Sequence, residues 1–202
     1  MLNEVKSRSA GRKIIATEFY TLDGLMSDPK DEMEWVLSTF SEDLGKYEDD
    51  LYERADTLIL GRVTYKIFES YWPTAVDDPS TPKDNIEMAR KINAATKIVF
   101  SKTLKEVTWK NSILKKEINS EEIKKLKQQN GKDILIVGSA NIVQQFTNFD
   151  LIDEYHLMVH PVILSTGKPL FKNLKEKVNL KMIETKQFSN GVVGLFYKNS
   201  KN

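Results

Sequence analysis

The sequence predicts an α/β fold: a mostly parallel central sheet, helices on both faces and an antiparallel hairpin at the C-terminal end. Three observations carry this prediction. Short apolar strand segments alternate with helix-period segments from residue 13 to residue 150, the pattern of parallel strands joined by crossover helices. After Asp150 strand segments follow one another without helices, and Ser189-Asn190-Gly191 joins the last two as a hairpin. No repeat, low-complexity tract or long linker divides the chain. A single domain is therefore expected over residues 13–202, behind a flexible polar tail over residues 1–12.

The first strand is KIIATEFY (13–20). Its alternation puts Ile14, Ala16 and Glu18 on one face and Ile15, Thr17 and Phe19 on the other. TLDGLMSDP (21–29) is turn chemistry. A helix starts near Ser41, with Leu44, Tyr47, Leu51 and Tyr52 at helical spacing, and ends near Ala55. TLILG (57–61) is a short apolar strand, and VTYKIFESYW (63–72) is a helix that Pro73 should stop. After the loop DDPSTPKD come the helix NIEMARKINAA (85–95) and the strand KIVFS (97–101). Short strands are expected within residues 107–118. Ser120 reads as the N-cap of EEIKKLKQQN, whose first turn carries Glu121 and Glu122. DILIVG (133–138) is a strand and residues 140–147 a helix. The closing strands are DEYHLMVHPVIL (153–164), LKMIETKQF (180–188) and VVGLFYK (192–198).

Composition narrows the function. The chain has 202 residues, 40% hydrophobic and 29% charged, with a net charge of +1. Nothing global draws it to nucleic acid or to a membrane surface. It has no cysteine, which excludes disulfides, thiolate metal sites and a cysteine nucleophile. No apolar run reaches the roughly 20 residues of a membrane span, and the first residues lack the apolar core of a secretion signal. A cytoplasmic enzyme or binding protein is expected, with no metal.

Ligands of open parallel sheets collect beyond the carboxyl ends of the strands. Three such junctions stand out. In LGRVTY (60–65), Gly61 allows close backbone approach, Arg62 supplies a charged donor and Thr64 can cap the following helix. VFSKT (99–103) ends a strand in a hydroxyl and an ammonium. In VGSAN (137–141), Gly138, Ser139 and Ala140 are too small to shield the amides at a helix N-terminus. Alone, the third junction is explained by packing in a tight strand-to-helix turn, Arg62 by a surface ion pair and Lys102 by a solvated charge. Together they favour a phosphate-rich ligand.

The order of these pieces resembles the dihydrofolate-reductase-like fold. Within it the chain looks most like the reductase domain of the bifunctional riboflavin-biosynthesis deaminase-reductase and its small standalone relatives. The likeness rests on TLDG (21–24), LILGRVTYKIF (58–68), KIVFSKTL (97–104), ILIVGSANIVQQF (134–146) and DEYHLMVHPVILSTGKPLF (153–171). It implies NADPH as cofactor. Gly61, Arg62 and Thr64 would then lie on the pyrophosphate and adenosine side, and Ser101 and Lys102 would meet the 2′-phosphate. Gly138, Ser139, Ala140 and Asn141 would follow the phosphates, with Ile142 beside them. Thr17 would border the nicotinamide and substrate, as would the loop carrying Asp23 and Gly24.

The reaction implied is hydride transfer to a flat nitrogen heterocycle, pteridine- or pyrimidine-like. Dihydrofolate reductases carry an acid on the helix after the first loop. Here Glu42, Asp43 and Asp49 are the candidates, and Asp23 and Asp43 are taken as the candidate catalytic residues. Met158 and Val143 stand where those enzymes have a threonine and a shielding aromatic. The alternative is a non-catalytic nucleotide-binding protein on the same fold. Relatives of this kind imply a homodimer.

Overall fold

The computed structural model describes residues 11–201. Its first strand, β1 (Ile14–Thr21), is followed by β2 (Leu25–Ser27), α1 (Glu34–Thr39), α2 (Glu42–Glu53) and β3 (Ala55–Gly61). Next come α3 (Arg62–Ala75), α4 (Lys83–Ala94), β4 (Thr96–Phe100), β5 (Ser112–Lys115) and α5 (Ser120–Gln128). The chain closes with β6 (Asp133–Ile136), α6 (Ala140–Asn148), β7 (Glu154–His160), β8 (Lys168–Pro169), β9 (Leu180–Gln187) and β10 (Val193–Asn199).

Eight strands form one sheet in the order β5-β4-β3-β6-β1-β7-β10-β9. The first six run parallel, and β10 and β9 add the antiparallel hairpin. The alternation of β1 separates two cores. Ile14 and Ala16 join Ile59, Ile134, Ile142 and Phe146 on the α5–α6 face. Ile15 joins Leu51, Leu58, Leu60, Tyr65 and Ile92 on the α2–α3–α4 face. The mostly parallel sheet, helices on both faces and closing antiparallel hairpin are those expected from the sequence. Among the described residues no helix is long and apolar enough to cross a membrane.

Several local expectations are corrected. Pro73 does not end α3, which continues to Ala75; so near the C-terminal end, proline costs the helix only the bond to the Glu69 carbonyl. Asn119, not Ser120, caps α5, because its side chain accepts from the Glu121 and Glu122 amides. Thr64 does not cap α3 either. Gly61 occupies the N-cap without a side-chain bond, and Thr64 lies inside the first turn. The segment read as turn contains β2, which pairs with β8 across the chain. Most of the expected N-terminal tail, residues 1–10, lies outside the described residues. Arg12 does not behave as tail: it is buried, ion-paired with Asp56 and hydrogen-bonded to the Thr57 hydroxyl and the Lys132 carbonyl.

Candidate active site

Strands β1, β3, β4 and β6 run in one direction and finish at one edge of the sheet. There, between α2 on one side and α3 and α4 on the other, lies a cavity of about 720 Å³. Thr17, Glu18 and Gly138 form its strand wall, Glu48 and Tyr52 come from α2, and Phe68 and Trp72 come from α3.

Two buried carboxyls face this space. Glu48 is 8% exposed and accepts the Thr17 hydroxyl at 3.4 Å through Oε1. Burial pushes its carboxyl up to about 7, against the pull of that hydrogen bond. Glu18 is 3% exposed. Its Oε1 accepts the Gly138 amide at 2.9 Å. Burial, reinforced by the nearby Glu48 charge, holds its carboxyl well above the usual range despite that amide. A carboxyl held neutral in this way can donate a proton or a hydrogen bond, which an ionised one cannot.

The phosphate-type junctions meet beside this wall. The Gly61 amide donates to the Gly138 carbonyl at 2.9 Å, which ties the ends of β3 and β6 together. Gly61 has no room for a side chain, since a Cβ there would stand 2.7 Å from Ser139 Oγ. Gly138 has φ +89°, and Thr64 Oγ1 packs 3.0 Å from where its Cβ would be. Ser139 is the N-cap of α6 and makes no side-chain cap bond. The amides of Ala140 and Asn141, in the first turn, have no acceptor among the described residues. Ile142 is buried behind them. Arg62 and Lys102 are exposed at the ends of β3 and β4, without a carboxylate partner among the described residues. Ser101 is buried and accepts from the Thr103 and Leu104 amides at 3.2 and 3.0 Å.

A strap over residues 28–41 covers one end of the cavity. Met33 and Phe40 reach the lining, but α1 itself buries no residue. The strap is held by an Asp28 turn that accepts the Lys30 and Glu32 amides, by the ion pair of Asp31 with Lys168, and by Thr39, whose hydroxyl meets His160 Nδ1 at 2.6 Å. Gly24 (φ +84°) turns the chain into β2.

The structure does not bring the two nominated carboxylates, Asp23 and Asp43, into the cavity lining. Asp23 accepts the Thr21 hydroxyl at 2.5 Å and the Ser165 amide at 2.8 Å, tying the first turn to the segment after β7. Asp43 accepts from Ser41 Oγ and from the Ser189 amide and hydroxyl, fastening α2 to the β9–β10 turn. These donors, Ser41 first, hold its carboxyl down at about 2. Each already has its hydrogen bonds and is placed to fasten loops.

Sequence reading did not single out Glu48, the buried acid of α2 that lines the cavity. Its signal was present: Glu48 lies four residues after Leu44 and four before Tyr52, on the stripe that α2 buries. A charge on an apolar stripe needs a reason. Glu18 gave a similar signal, as the one acid on the strand face of Ile14 and Ala16.

The chain is 36% identical over 197 residues to the uncharacterized protein YyaP of Bacillus subtilis, covering 98% of each. It superposes on a putative riboflavin biosynthesis protein from Shewanella (TM-score 0.71, 24% identity, 93% of this chain and 99% of that one). It also superposes on the deaminase/5-amino-6-(5-phosphoribosylamino)uracil reductase of Thermotoga maritima (0.63, 13%, 94% and 57%). Dihydrofolate reductase from Enterococcus faecalis shares the same fold (0.59, 13%, 93% and 96%). Residues 12–194 match the RibD C-terminal domain, and the chain belongs to that family.

Proposed function

We propose that this chain is an NADPH-dependent reductase that delivers hydride to a flat nitrogen heterocycle seated between α2 and α3. The observation that carries this reading is the pair of buried carboxyls, Glu18 and Glu48, on the walls of a largely apolar cavity beside a phosphate-type sheet edge.

The residues at that edge suit a dinucleotide. Two exposed cations and the unpaired amides of an α6 N-terminus converge on one rim, the chemistry that binds phosphate. Arg62, Ala140 and Asn141 would hold the pyrophosphate, with Gly61, Thr64, Gly138, Ser139 and Ile142 shaping the surface. Ser101 and Lys102 would hold the 2′-phosphate that distinguishes NADPH. Thr17 and Gly24 would border the nicotinamide. When bound, the cofactor supplies the hydride.

The chain's own residues do the rest. Phe68 and Trp72 offer aromatic faces to a flat ring. Glu48 holds its polar edge, oriented by Thr17. Glu18, steadied by the Gly138 amide, keeps a proton inside the cavity for the atom that gains electrons. The strap over residues 28–41 limits access of water. The protein works in the cytoplasm, as a single domain that pairs as a homodimer.

The test is NADPH oxidation against a panel of pteridines and pyrimidines, with NADH as the control. Glu48→Gln and Glu18→Gln should each lower kcat/KM by roughly a hundred-fold, while cofactor affinity holds. Arg62→Ala and Lys102→Ala should weaken NADPH, and Lys102→Ala should narrow its preference over NADH. Tight NADPH binding with no turnover on any member would favour a nucleotide-binding protein without catalysis.

A further inference from the structure

One histidine stands outside the machinery described so far. His160 ends β7 fully buried, opposite Thr21 of β1. The strap sits on it. Its Nδ1 meets the Thr39 hydroxyl at 2.6 Å, and its ring makes T-shaped contacts with Trp35 at 5.0 Å and with Phe19 at 5.3 Å. Phe19 also lines the cavity, so His160 lies directly behind the cavity wall. Helix α1 buries no residue of its own, which leaves this contact as the main hold on its end of the strap.

A neutral imidazole suits the seat and an imidazolium does not. Thr39 Oγ1 serves Nδ1 as donor or acceptor. Nε2 is buried with no hydrogen-bond partner among the described residues, and so is the neighbouring Trp35 Nε1. Trp35 Nε1–H is a donor and offers nothing to a second imidazole N–H. No counter-ion answers the charge either. On the adjoining segments Asp23 is engaged by Thr21 and Ser165, Asp43 by Ser41 and Ser189, Asp28 by the Lys30 and Glu32 amides, and Asp31 by Lys168. Lys30, Glu32, Glu34 and Glu42 are exposed. None of these groups acts on His160, whose proton affinity burial alone lowers from 6.5 to about 4.

We propose that the strap over residues 28–41 is an acid-released latch: neutral His160 holds it shut through Thr39 and Trp35, and the imidazolium, which the closed seat does not accommodate, frees it and uncovers that end of the cavity. Opening lets water reach Nε2, so the open form takes a proton at the ordinary value and the closed form does not. Protons therefore shift the balance toward the open strap by their difference in affinity for the two states. The proposal adds regulation of access to the cavity, and it holds whether or not the cavity belongs to a reductase.

Hydrogen exchange of the full chain, read by mass spectrometry from pH 7 to pH 5 and corrected at each pH for the unfolded-chain rate, tests the latch without cofactor or turnover. Protection over residues 28–41 should fall roughly twenty-fold between those values, the result of His160 titrating at about 4 when closed and 6.5 when open. Amides of β3 and β6 should keep their protection. His160→Gln stays neutral and should flatten the response of the strap. Thr39→Val changes a helix with no buried residue and should lower strap protection several-fold at pH 7.

Strap protection that holds or rises on acidification would overturn the proposal, the latter because the Trp35 and Phe19 rings would then be gripping the cation. An equal fall in His160→Gln, or in the β3 and β6 amides, would also overturn it. Should His160→Gln fail to fold, Thr39→Val decides: protection equal to wild type at pH 7 refutes the latch.

Discussion

Glu48→Gln should stabilise the protein above neutral pH while damaging its function. The carboxyl is buried, and its pKa is raised from 4.5 to about 7. In the unfolded chain Glu48 loses its proton near the ordinary value. In the native protein it keeps the proton until about 7. Stability therefore falls as pH rises from 4.5 to 7 and is level above, because the native state binds more protons in that window. At about 1.4 kcal/mol for each pH unit, the loss is about 3 kcal/mol. Glutamine has the same shape and never ionises, so the variant avoids the loss.

For a chain of this size, about 3 kcal/mol corresponds to a difference of roughly 6–12 °C in melting temperature. The assay is thermal or urea unfolding of both proteins from pH 5 to pH 8. Near pH 5, where Glu48 is neutral in both, the curves should lie close. By pH 8 the variant should unfold about 3 kcal/mol later. Curves that stay parallel over the whole range would refute the reasoning. A gain in stability with a loss of turnover is the usual sign of a strained functional group.

Three further outcomes follow from the same structure. Lys97 is fully buried, donates to the Ile92 and Asn93 carbonyls and lies over Trp109; burial lowers its ammonium to about 8. Between pH 8 and 10.5 the unfolded chain holds the extra proton, so wild type should gain up to about 3 kcal/mol on Lys97→Met, read by urea unfolding at pH 8 and 10. Asp43→Asn should lower the melting temperature and leave turnover intact. Wild type's advantage should be full above pH 3.8 and vanish as pH falls through about 2. Arg12→Met should cost roughly 2 kcal/mol in urea unfolding, less than a fully buried pair because Asp56 is partly exposed.

Much of this was legible in the sequence because local pattern and tertiary position agreed. The alternation in KIIATEFY gave both faces of β1, and the β9–β10 hairpin followed from its turn. The missed pieces lack local signals. Helix α1 spans six residues and buries none, so it has no periodicity to detect. The β2–β8 pairing joins segments of three and two residues from distant parts of the chain. Asn119 and Ser120 are both good caps, and only the backbone turn chooses between them. The site was half legible. Glycines and cations at strand ends announce themselves, whereas Asp43 and Glu48 differ only in which way α2 turns them.

The strap over residues 28–41 has a kinetic consequence. With nothing buried in α1 and a few polar fastenings at its ends, its amides should exchange with solvent through small local openings, long before the sheet yields. Traffic in and out of the cavity would then run on the clock of those openings. A substitution elsewhere that made the core sturdier would leave that clock unchanged, whereas loosening Thr39 from His160 would quicken it.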